Sequence, residues 1–131
     1  MTLAVVRTCR MTNWYAVIVG FLAWLVIGAI GLTVPGFGQL TAGLLGGFLA
    51  GYVARGGFAG GAWHGLLAGS LGGIVFAIIL GFGISVLGAP GLGPFAPLLG
   101  AGALVAVVSL ALLFGLESAL AGAVGGWLAA R

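Results

Sequence analysis

Apolar side chains fill this chain in long uninterrupted runs, and neither the alternation of a half-buried strand nor the polar stripe of a water-facing helix breaks them. The first run, WYAVIVGFLAWLVIGAIGLTV, covers Trp14 to Val34. The Pro and Gly of VPGFGQ then mark a tight turn, and a second run extends from about Gly38 to Ala54, closed by Arg55. RGGFAGGA reads as a short loop, followed by a third run from Trp63 to Leu87. GAPGLGPFAP, with three of the four prolines, is the next connection, and the chain then stays apolar to Arg131. A span needs about 20 apolar residues, so the pattern predicts four transmembrane helices near 14–34, 38–54, 63–87 and 102–128.

The C-terminal 34 residues would extend about 50 Å as one helix, more than a bilayer core requires. They predict either one long helix, tilted or kinked near Gly115, or a break at Gly115 to Ser118 and a short fifth segment. Four crossings place Arg7, Arg10, Arg55 and Arg131 on one side, as the positive-inside rule requires, with both termini cytoplasmic. No small-residue cleavage site follows the first run before Pro35, so that run reads as a span and not as a signal peptide. Residues 1–13 read as a disordered extension in which Met11 is an alternative start, leaving 14–131 as one transmembrane domain.

Composition supports lipid as the solvent. The 131 residues are 63% hydrophobic and only 4% charged, against about a quarter charged in soluble domains. A net charge of +3 from four arginines is too sparse for a nucleic-acid footprint. The single cysteine, Cys9, excludes an internal disulfide, and no His/Cys/Asp/Glu spacing suits a metal.

The chain also contains 28 glycines, many of them four apart. In lipid, small residues at that spacing let helix backbones approach closely. Gly43, Gly47 and Gly51 form one such row in the second run; Gly61, Gly65, Gly69 and Gly73, after Gly57, form another in the third; Ser118, Gly122 and Gly126 form the last. Ala16, Gly20 and Gly28 give the first run a poorer row interrupted by Trp24, which predicts looser packing there. Because an i, i+4 row drifts around the helix, the long third stripe is expected to meet two neighbours in turn. AGLLGG, AGSLGG and AGAVGG, starting at Ala42, Ala68 and Ala121, share AGxxGG.

Polar chemistry is thin. Glu117 is the only acid, and an ionisable group within a span is a candidate proton or cation site. The alternative is that Glu117 or Ser118 caps a helical turn beginning in GLESAL. His64 is a candidate partner for Glu117, or an interfacial residue beside Trp63. No nucleophile, base and orienter assemble, and the glycine clusters lack a P-loop lysine, so the expectation is a non-enzyme without cofactor.

MTNWYAVIVGFL, VPGFGQLTAGLLGGFLAGYVARGG, GAWHGLLAGSLGGIV and LESALAGAVGG, in that order, resemble a family of small multi-span membrane proteins found mainly in haloarchaea and known only as a domain of unknown function. The resemblance implies four spans in an archaeal plasma membrane and carries over no activity. Small multi-span proteins of archaeal pleomorphic viruses look similar, which leaves a virion membrane as the alternative location. The sequence therefore predicts an all-α, glycine- and alanine-packed bundle, self-associated, with a structural or accessory role. The alternative is an oligomeric channel or proton-coupled transporter using Glu117.

Overall fold

The computed structural model describes residues 12–31, 33–34 and 37–131. Arg7, Cys9, Arg10, Met11 and nearly all of the expected N-terminal extension lie outside the described residues.

The chain forms α1 (Trp14–Gly31), α2 (Phe37–Ala54), α3 (Gly57–Leu87), the single turn α4 (Ala89–Leu92) and α5 (Ala96–Ala129), with a 3-10 turn, Gly93–Phe95, leading into α5. α1, α2, α3 and α5 are each long and apolar enough to cross a membrane. α5 is one continuous α-helix through Gly115 to Ser118, so no fifth span forms and GLESAL starts no new helical turn.

The connections are shorter than their composition suggests. α3 begins at Gly57, and the glycines of GGFAGGA are helical, leaving Arg55 and Gly56 as the link. Glycine pays backbone entropy in any helix, but in lipid no water competes for its backbone groups, so they must be satisfied within the helix. The chain reverses by taking Arg55 to φ 50° and Gly57 to φ 70°. No neighbour lies within 4 Å of a side chain placed at Gly57, so the requirement there is conformational. GAPGLGPFAP is likewise mostly helical turns: its prolines sit in the first turns of α4, the 3-10 segment and α5, where their missing N–H groups cost nothing, and Gly93 makes the reversal at φ 55°.

The helices lack a polar face, and what distinguishes their faces is side-chain size. Among the described residues, the buried apolar ones are alanines apart from one, Val17, and they alternate with buried glycines such as Gly47, Gly65 and Gly122. Leucine, isoleucine and phenylalanine point outward, with Leu87 82% and Ile79 65% exposed. This arrangement suits lipid, where apolar side chains gain nothing by leaving the solvent and close backbone packing holds helices together.

α3 is central, contacting α1, α2 and α5, and its pairing with α5 is the most extensive in the bundle. At about 46 and 51 Å, α3 and α5 are much longer than α1 and α2, at about 27 Å each. α1 starts beside His64, meets Ala68 through Gly20 and lays Trp24 on Gly72. Neither α1 nor α2 reaches α4 or the 3-10 turn, so the far end of the α3·α5 hairpin projects beyond the α1–α2 turn.

Two expectations change here. α1 is not loosely held, since a methyl at Gly20 would fall 2.7 Å from the Gly46 carbonyl oxygen. Trp24 does not interrupt the packing, because Gly72 leaves room for its ring. The α3 stripe also keeps one partner: Gly61, Gly65, Gly69, Gly73 and Gly81 all face α5, whose Gly126, Gly122, Ser118, Ala111 and Leu104 follow the drift of the row. α3 meets α1 through a separate row containing Ala68 and Gly72.

A pair of substitutions on one glycine row tests this geometry. Gly47 abuts the Ser118 backbone, so Gly47→Ala is expected to cost about 1–3 kcal/mol in equilibrium unfolding in mixed micelles, as overpacked cores do. Gly43 has open space around it, so Gly43→Ala should stay within about 0.5 kcal/mol of the parent.

Candidate functional site

The most constrained region is the junction where α2, α3 and α5 meet around Ser118 and Gly122. A methyl on Gly47, Gly65 or Gly69 would collide with Ser118, and one on Gly51, Gly61 or Gly65 would collide with Gly122. Gly73 packs on Ala111, and Gly126 lies against Gly57 and Gly61. Of the nine glycines selected by spacing, only Gly43 makes no close approach, although it is buried.

Ser118 is fully buried and its hydroxyl donates to the Gly65 carbonyl oxygen at 2.9 Å, linking α5 to α3. The other span serines and Thr41 bond within their own helices: Thr41 to Phe37 O, Ser70 to Leu67 O, Ser85 to Gly81 O, and Ser109 to Val105 O. Among the described hydroxyls, Ser118 is the one whose bond joins two helices.

The three AGxxGG segments lie on the three helices of this junction, and their glycine doublets share a geometric role. Successive helical residues point about 100° apart, so a GG pair clears space toward two neighbours at one level. Gly46 faces α1 and Gly47 faces α5; Gly72 faces α1 and Gly73 faces α5; Gly125 faces Phe48 and Tyr52 of α2, while Gly126 faces α3. The every-fourth spacing singles out only one glycine of each pair. Gly46, Gly72 and Gly125 fall outside the every-fourth rows, and the repeated doublet is the signal that reveals them.

Glu117 lies one residue from the junction and is half-buried on α5. Since Gly126 packs at the start of α3, Glu117 sits about 14 Å further along the bundle, well inside an apolar layer of about 30 Å. With α5 continuous, it caps nothing.

His64 is not its partner. Its Nδ1–H donates to the Gly60 carbonyl oxygen at 2.6 Å, and its Nε2 accepts from the Asn13 backbone N–H at 2.9 Å. A carbonyl on one nitrogen and an N–H on the other assign the neutral Nδ1–H tautomer. Trp63 Nε1–H donates to the Thr12 hydroxyl at 3.2 Å, so Trp63 and His64 together tie the lead into α1 to the start of α3. Thr12 and Asn13 are thus held, in contrast to the disorder expected for them.

The same end of the bundle carries Trp14, Tyr52 and Trp127, and the Arg131 guanidinium lies 3.7 Å over the Trp127 ring. An aromatic and basic rim of this kind matches the headgroup level of a membrane.

The geometry defines a small polytopic helical bundle of membrane type. The chain belongs to DUF5518, a family of unknown function, whose profile matches residues 14–128. No curated protein and no solved structure matches the chain.

The His64 tether yields a local prediction. In His64→Leu, amide exchange at Asn13 should accelerate about three- to tenfold, the range for losing one hydrogen bond, while exchange at Gly20 stays unchanged. Equal protection at Asn13 in both proteins would contradict the tether.

Proposed function

We propose that the protein is a structural or accessory component of its membrane, non-enzymatic, self-associated, and packed through glycine-zipper faces. The observation that carries this reading is the junction itself, where three spans meet backbone to backbone around Ser118 and Gly122 with no room for added atoms. Such a core suits a rigid scaffold.

Self-association draws support from the projecting hairpin. Between Arg55 and Glu117 there is no charged residue, and the far end exposes Phe82, Leu87, Phe95 and Leu98. α3 at about 46 Å would need a tilt near 50° to fit a 30 Å layer, beyond the usual 0–40°. A second copy packed on that end would cover it without such tilt. Arginines and aromatic residues gathered at the opposite end support a plasma-membrane topology with both termini cytoplasmic; a virion membrane of the same sidedness is the other setting.

A second reading, an oligomeric channel or proton-coupled transporter, draws on Glu117, which forms no ion pair with a described residue despite its depth.

Leu98→Cys in a Cys9→Ser background should form a disulfide-linked dimer on oxidation in native membranes; monomer alone would end the self-association reading. In proteoliposomes we expect proton flux no greater than in empty vesicles. A flux that Glu117→Gln abolishes, with cross-linking unchanged, would install the transport reading instead.

A further inference from the structure

Beneath the α1–α2 turn, an apolar groove of about 140 Å³ enters the bundle between α3 and α5, walled by Trp24, Gly73, Phe76, Leu110 and Phe114, with Gln39 of α2 as its polar wall. A second groove of about 210 Å³ lies on the α1 side and shares Trp24, Gln39 and Phe76. The Gln39 amide lines both and hydrogen-bonds no described residue. The serine, threonine and histidine side chains described inside the α2, α3 and α5 spans all have a bonded partner. Gln39 is half-buried with its amide open to the grooves, and a polar group left unpaired at the edge of hydrocarbon is costly, so its position points to a partner brought by a ligand.

The depth of Gln39 limits what that ligand is. Gln39 shares its level with Phe76, about 28 Å along α3 from the basic and aromatic end, which is the far margin of a hydrocarbon layer of about 30 Å. Lipids place their glycerol-level oxygens there. From that level the groove runs inward past Gly73 to Gly69, about 10 Å, along apolar walls that hold no water. It is too narrow for another helix, which needs about 10 Å of width. A quinone ring would call for polar partners on both sides, and the groove offers one amide.

We infer that the groove under Gln39 holds one membrane glycerolipid as a fixed component, its ester or ether oxygens accepting from the Gln39 amide and one chain lying against Trp24, Phe76 and Phe114. No charged group lines the groove, so the site selects at the glycerol level and is indifferent to the headgroup.

The test uses the full chain in nanodiscs of phosphatidylcholine containing a small fraction of phosphatidylcholine with a mid-chain diazirine, and maps photolabel by peptide mass spectrometry. Labelling at Trp24, Phe76 and Phe114 should exceed that at lipid-facing Leu120, which is 69% exposed. Val107→Trp, which fills the groove, should lower groove labelling at least fivefold, and Gln39→Leu severalfold, with Leu120 labelling unchanged. Groove labelling equal to that of Leu120, or unmoved by Gln39→Leu, overturns the proposal. So does its loss on adding a short-chain quinone, which would identify a different occupant. If Val107→Trp does not fold, Gln39→Leu and the quinone competition still decide.

Discussion

Backbone contact among α2, α3 and α5 at Ser118 and Gly122 is the constraint on which the rest of the bundle depends. In water this sequence would have no reason to choose one face over another, because every helix face is apolar. In lipid the choice is made by size: the faces able to bring backbones together are buried, and bulky side chains are left to the solvent that suits them. Gly47, Gly65 and Gly122 fix how closely the helices approach, and the Ser118 hydroxyl on the Gly65 carbonyl fixes their axial register. α1 then docks onto the surface that remains, through Gly20 and the seat of Trp24.

Much of this was legible in the sequence, because spacing encodes it. The number of spans followed from run lengths, and the every-fourth glycines include those at the junction but not Gly31, Gly38, Gly46, Gly72, Gly100 or Gly125, which approach their neighbours as closely. Spacing could not separate Gly43 from Gly47, since which glycine of a row meets a backbone depends on where the neighbouring helix passes. It also misjudged GGFAGGA and GAPGLGPFAP, where glycine and proline were read by the rules of aqueous loops. At a membrane-embedded helix start those residues continue the helix or begin the next one.

The polar residues were legible as candidates but not as a constellation. His64 and Glu117 stood out by rarity, yet His64 is committed to Asn13 and Gly60 at the rim while Glu117 lies deeper on another helix. Nothing in the spacing around Gln39 marks it as a site. Its position becomes informative only once Trp24 and Phe76 are seen to leave a groove beside its unpaired amide.

The central claim concerns distance, and magic-angle-spinning NMR of the protein in bilayers, carbon-labelled at serine and glycine, measures it directly. The Ser118 resonance is identified by its loss in Ser118→Ala. The account predicts short-range cross-peaks from Ser118 to glycines of both α2 and α3, namely Gly47, Gly65 and Gly69. Cross-peaks confined to Gly115 and Gly122 of its own helix, as expected for helices at the ordinary separation of about 8–10 Å, would contradict it.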